Sequence, residues 1–333
     1  MKLLIRFCLI ALLTGLYGGN SLAKTFKIAT LAPAGTTWMK EMTKAASLID
    51  EKTDGRVKLK FYPGGVMGNE QSVHRKIKVG QLQGGAFTSG GLAHLYPGIN
   101  ALSLPMLFNS FEEVDYVRSK LDVTLKQGME QNGFVLLGIA EAGFARILSK
   151  QPLTDLEKIR SSKVWIPEGD TMVQETYKTL GISPISLPIS DVFTGLQTGL
   201  IETVSITSSA AIAFQWHSST AYVTDTPIIY LIGLLAVEKE SFDKIKAGDQ
   251  IIVRQEIDHV FKRLDRSNRS DNEEATKALK NYGIIFVNPD PEELKRWKTL
   301  SAQSIVNLVN EGVVSQEAVD EVMQHLSDYR KAQ

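Results

Sequence analysis

Residues 26–31 alternate apolar and polar positions into a short strand that ends at Ala32-Pro33-Ala34-Gly35. After it Trp38, Met39, Met42, Ala45, Ala46 and Leu48 recur at helical spacing. Val57, Leu59 and Phe61 then alternate with lysines into a second strand, closed by the turn Pro63-Gly64-Gly65. Residues 86–89 form a third short strand. A second unit opens with the apolar strand 135–139 and holds further strands at 163–166, 183–187 and 202–206, before Ala236-Val237 returns to the first unit. Strands alternating with helices predict an α/β chain with largely parallel sheets. Ligands of such sheets sit beyond the carboxyl ends of the strands.

From Asp249 to Tyr282 there is neither Gly nor Pro, and Ile251, Ile252, Ile257, Val260, Phe261, Leu264, Ala275 and Leu279 recur at helical spacing. Asp249 reads as the N-cap and Gly283 as the stop. One helix over that span is roughly 48 Å long, enough to cross two domains; two helices broken near Ser267-Asn268-Arg269-Ser270 are the alternative. The apolar run 227–237 is too short to span a bilayer and reads as a buried strand or crossover. Residues 291–330 read as amphipathic helix.

The N-terminus changes the picture. Lys2 and Arg6 precede a mainly apolar stretch over 7–16, and Ser21-Leu22-Ala23 stands before Lys24, the pattern of a cleaved secretory leader over residues 1–23. The stretch is shorter than the roughly 20 residues of a membrane anchor. Cys8, the only cysteine, lies in that leader, and Arg6 before it does not fit lipoprotein processing. The remaining chain has no disulfide or thiolate chemistry and rests on core burial alone. At roughly 310 residues it exceeds one typical core, so two domains are expected. Removing Lys2 and Arg6 from 37 basic residues leaves 35 against 37 acidic ones. That balance gives no reason to expect nucleic acid or an anionic membrane surface as partner.

Enzyme signatures are sparse. The five histidines, His74, His94, His217, His259 and His325, form no pair at metal-ligand spacing. There is no phosphate-binding G-x-x-x-x-G-K-[ST] loop and no G-x-S-x-G elbow, and no cofactor or metal is expected. Ser89 or Ser208 with His94 or His217 could still assemble a nucleophile and base in space. An exported scaffold for another protein is a third class.

Five blocks, in order, resemble one family. Ala32-Pro33-Ala34-Gly35-Thr36-Thr37-Trp38 is similar to its first strand-to-helix loop. Thr53-Asp54-Gly55-Arg56-Val57 with residues 62–68 resembles its T-G-G-x-V strand and P-x-x-x-L-G turn, and residues 102–108 its L-P-F-L-F element. Residues 159–167 resemble D-L-K-G-L-K-I-R-V-P, and residues 190–202 resemble E-V-Y-x-A-L-Q-T-G-V-V-D. The family is the periplasmic solute-binding proteins of tripartite ATP-independent (TRAP) transporters, DctP type. The resemblance covers nearly the whole chain after the leader. It implies a two-lobed periplasmic-binding-protein fold with a long helix bracing both lobes. The expected division is 24–145 plus about 236–275 for lobe I and 146–235 plus about 276–333 for lobe II. It also implies a monomeric periplasmic receptor that hands a small molecule to small and large membrane permease subunits.

In that family the Arg of K-I-R-V-P pairs with the substrate carboxylate, and here Trp165 stands in its place. Gly143-Phe144-Ala145-Arg146 resembles the strand that carries an assisting Arg, so Arg146 is the retained cation. The family's acidic position after the third strand falls on Thr88, beside Ser89. Its aromatic falls on Ile189, and its Asn on or beside Ile206, next to Thr207. The site thus exchanges charge for apolar surface. A buried carboxylate without a matched cation costs several kcal/mol, whereas apolar burial gains roughly 25 cal/mol per Å², which points to a hydrophobic or weakly charged ligand. Trp38, Phe193, Trp216 and Tyr230 are further lining candidates, or ordinary core. Glu168 and Asp170 flank Gly169 and either receive a cation or hydroxyls or cap the following helix. The competing reading is an organic acid held by Arg146 with Trp165 stacked on a planar portion.

Overall fold

The structure is a computed structural model and describes residues 23–333. The leader up to Leu22, with Cys8, lies outside the described residues. The first strand, β1 (Lys24–Ala29), buries Phe26 and Ile28 and exposes Lys27. Helix α1 (Thr37–Lys52) follows, capped by the Thr36 hydroxyl, which accepts from the Met39 N–H. It buries Met39, Met42, Ala45 and Ile49, while Leu48 turns to solvent. β2 (Val57–Tyr62) buries Val57 and Leu59 between exposed lysines. Then come α2 (Glu70–Lys78), β3 (Gly84–Thr88), the single turn α3 (Ser89–Leu92), a 3₁₀ segment (Pro97–Ser103) and α4 (Phe111–Gln131).

Two long strands carry the chain between the lobes: β4 (Phe134–Ser149) leads out and β8 (Tyr222–Glu238) leads back. Between them lie α5 (Leu156–Ser161), β5 (Trp165–Pro167), α6 (Thr171–Thr179), β6 (Ile185–Leu187), α7 (Val192–Thr198), β7 (Thr203–Ile206) and α8 (Ser208–Ala213). The main sheet runs β2-β1-β3-β8-β4-β7, and β5 pairs with β6 in a separate parallel pair. β1 is parallel to β2 and β3, but β3–β8, β8–β4 and β4–β7 are antiparallel. The sheet is therefore mixed rather than largely parallel, because β4 and β8 cross between lobes in opposite directions. Their ladder slips at Leu136/Gly138, Glu141/Gly143 and Ala145/Ile147. Each slip bends the ribbon and sharpens its twist, and Gly143 supplies the positive φ of 110° that the middle one requires.

After β8, α9 (Lys239–Asp243) leads into α10 (Ala247–Asn281), one unbroken 35-residue helix. Asp249 sits inside its first turn and is paired with Arg56 (3.0 Å) rather than capping it. Val253, Ile257, Val260, Phe261 and Leu264 pack into the core of the first lobe, and Leu279 into that of the second, so the helix braces both. The polar run that suggested a break is the seam with β4. Arg269 Nη2 donates to the fully buried Glu141 carboxylate (2.8 Å), the Asn268 amide to the Glu141 carbonyl, and the Asn272 amide to the Ala142 carbonyl (2.9 Å).

The chain closes with β9 (Ile285–Val287), α11 (Pro291–Asn310) and α12 (Gln316–Lys331). The last helix departs from the expected division. Val319, Val322 and Leu326 join Val114, Val117 and Leu121 of α4 in the first lobe's core, because its apolar stripe finds its partner there. Among the described residues no helix is long and apolar enough to cross a membrane.

Candidate functional site

The loops after β1, β3, β5 and β7 converge, with the middle of β8, on a cavity of about 380 Å³. Position beyond strand ends is where open sheets leave room for a ligand. Leu31 and Trp38 line it from the first lobe, Ile206 and Phe214 from the second, and Ile228 and Ile232 from β8. Among the described residues that line it there is no Lys, Arg or His; its charged-type groups are Glu70 and Asp170.

Trp165 lies at the cavity wall, 4% exposed. Its Nε1 donates to the Leu187 carbonyl (3.0 Å), and Trp216 meets its ring edge-on at 5.2 Å between centroids. It is therefore both core and lining. Trp38, Thr88, Ser89, Ile189, Ile206 and Thr207 also line the cavity. Thr88 caps α3, and Thr207 caps α8.

The other expected residues lie elsewhere. Arg146 is absent from the lining: its Nε donates to Asp225 at 2.7 Å, while its neighbour Ile147 faces the cavity. Successive strand residues point to opposite faces, and the slip beside Ala145 fixes which one looks inward. Phe193 packs into the core of the second lobe and Trp216 buttresses Trp165 from behind. Tyr230 is buried in the first lobe's core, with its hydroxyl on Glu141 (3.1 Å). Glu168 lies on a neighbouring polar cavity and accepts from the Asn69 amide across the cleft, so it ties the two walls together.

Sequence reasoning passed over Glu70. It starts α2, and its two carboxylate oxygens accept from the backbone N–H (2.6 Å) and the hydroxyl (3.0 Å) of Thr88. Burial pushes its carboxyl up to about 7, against those two hydrogen bonds, and nearby Asp170 pushes the same way. Burial also raises Asp170, although it caps α6 by accepting from the Val173 N–H (3.0 Å). Both carboxyls lie on the boundary shared by the two cavities. A Glu at a helix start is ordinary in sequence, so nothing singled it out. Tyr177 was also missed; its hydroxyl meets that of Ser205 at 3.1 Å.

The serine and histidine candidates do not assemble. The Ser89 hydroxyl bonds Ser103 (3.3 Å), and Ser208 accepts from Thr276 (2.8 Å). The His217 ring faces the Ala211 carbonyl and stacks on Tyr282. His94 meets His74 edge-on, and burial holds His74 near 4, so it stays neutral.

Two lobes closing over a cavity, joined by a strand ribbon and a bracing helix, define a solute-binding protein. The sequence profile of bacterial extracellular solute-binding protein, family 7 (DctP) matches residues 28–311, and the chain belongs to that family. The uncharacterized protein YiiZ of Salmonella typhimurium is 30% identical over 248 residues, 73% of this chain and 75% of that one. The 2,3-diketo-L-gulonate-binding periplasmic protein YiaO of Escherichia coli is 25% identical over 246 residues, 73% and 75% of the two chains. Among solved structures, a TRAP periplasmic solute-binding protein from Desulfovibrio salexigens with bound orotic acid superposes with a TM-score of 0.84. It is 16% identical and the match covers 92% of this chain and 99% of that one. The family is one of transport receptors that bind small molecules and serve membrane permeases, and the chain is a TRAP solute-binding protein.

Proposed function

We propose that this receptor captures an apolar, uncharged or weakly charged small molecule. Trp165 occupies the position at which the family's substrate-pairing Arg is expected. The observation that carries the reading is the lining: no cation among the described residues, two carboxyls, and otherwise mainly apolar side chains. A carboxylate placed there would lose hydration worth several kcal/mol with no counter-charge, and would meet Asp170. A ligand burying on the order of 200 Å² of apolar surface gains roughly 5 kcal/mol instead.

The organic-acid reading draws on relatives named for acids, such as the orotic acid complex. It requires Arg146 to leave Asp225, its 2.7 Å partner, and reach the other face of β4. The remaining features follow the family: removal of the leader, a periplasmic monomer, delivery to small and large permease subunits, and a lobe division near 145 and 236 with α12 returned to the first lobe.

Titrating ligand-free protein with 1-octanol and with orotate, followed by tryptophan fluorescence, separates the readings. Saturable binding of the alcohol alone is expected; micromolar binding of orotate would overturn the apolar assignment.

A further inference from the structure

The cavity does not end at the cleft. It continues into the second lobe between α6 and α11, past Leu156, Ile159, Leu180, Ile182 and Trp297. A direct bond joins the two helices here, Asn307 Nδ2 to Thr179 Oγ1 at 2.9 Å.

Two hydroxyls line this stretch, Thr176 on α6 and Ser301 on α11, with their residues 7% and 5% exposed. Helical Ser and Thr usually turn back on a carbonyl of the preceding turn. Their neighbours do so: Thr179 Oγ1 donates to the Glu175 carbonyl (3.0 Å) and Ser304 Oγ to the Ser301 carbonyl (2.7 Å). Thr176 and Ser301 make no side-chain hydrogen bond among the described residues. Neither oxygen is among the sealed, partnerless polar atoms found among the described residues, Asp50 Oδ1 and Asn100 Oδ1, and both residues line the cavity. The other cavity hydroxyls are satisfied, as in Tyr177–Ser205 and Thr88–Glu70. A buried hydroxyl left without a partner is costly, and in an apolar tunnel the partner has to come with the ligand.

We propose that Thr176 and Ser301 form a deep polar subsite that takes a hydroxyl or carbonyl oxygen at the buried tip of an elongated, otherwise apolar ligand. The proposal rests on the apolar-ligand reading and specifies it. At the ~30 Å³ that a liquid water occupies, the whole cavity holds about a dozen non-hydrogen atoms, so a medium-length chain or small ring system reaches the deep end.

The test uses 1,8-octanediol, whose ten non-hydrogen atoms fit the cavity volume and carry an oxygen at each end, and n-butylbenzene, of the same atom count with no oxygen. Affinities are measured by calorimetry on wild-type protein and on the double variant T176V/S301A, with T176S as the conservative control. The variant should weaken the diol about three- to tenfold, the size of one net hydrogen bond. It should leave n-butylbenzene as tight or tighter, and T176S should retain the diol. Unchanged diol binding, or an equal loss for both probes, overturns the subsite while the apolar cavity stands. If wild-type protein binds neither probe and binds orotate, the apolar reading itself has failed and the subsite with it.

Discussion

Trp165 donates its indole N–H to the Leu187 carbonyl at 3.0 Å, so the backbone of β6 sets the plane of the ring before any ligand arrives. Trp216 packs against the ring in a T-shaped pair, 5.2 Å between centroids. A wall so held presents a flat apolar surface at the point where the family's charge recognition is expected, at little entropic cost to the ligand complex.

Trp165→Arg should therefore weaken the native ligand at least tenfold. It should also lower stability by roughly 3 kcal/mol, because the ring's core contact with Trp216 and its bond to Leu187 give way to a charge in a mainly apolar wall. Fluorescence titration and urea unfolding read the two effects separately. Unchanged affinity would make the ring core packing alone.

Arg146→Ala should leave ligand affinity within twofold and cost about 1 kcal/mol of stability, the value of a partly exposed pair with Asp225. Near-complete loss of binding would return the anion to this side chain.

Glu70 gives a pH signature. Its carboxyl titrates near 7 in the folded protein and near 4.3 in an unfolded chain, so folding binds a proton between those values. Its contribution is fully present below about pH 4 and is lost as pH rises through 7. Glu70→Gln should match wild type at pH 4 and exceed it at pH 8, by on the order of 3 kcal/mol. Urea midpoints at the two pH values decide it; a variant no more stable than wild type at pH 8 would mean the carboxyl ionises without penalty.

The strands and the bracing helix were legible because they rest on periodicity. Phe26 and Ile28, Val57 and Leu59, and most of the apolar stripe of α10 face where the spacing puts them, although Ile251 in its first turns is exposed. The polar Asn268 and Arg269 misled only by looking like a break, since their partners on β4 are distant in sequence. Trp165, Ile189 and Ile206 reached the cavity because whole motifs placed them. Arg146 did not, because facing along β4 depends on the ladder slip beside it, which no local pattern encodes. Trp216 and Tyr230 are buried, and Phe193 half-buried, in core clusters that owe nothing to a ligand. Thr176 and Ser301 were invisible for the opposite reason: an unpartnered hydroxyl is a property of the packed structure alone.

The most direct measurement is native mass spectrometry of the protein purified from the periplasm of its own organism, followed by denaturing extraction of whatever it carries. The cavity predicts an apolar molecule with at least one hydroxyl or carbonyl oxygen and no carboxylate. A small carboxylate bound at one equivalent would contradict the account.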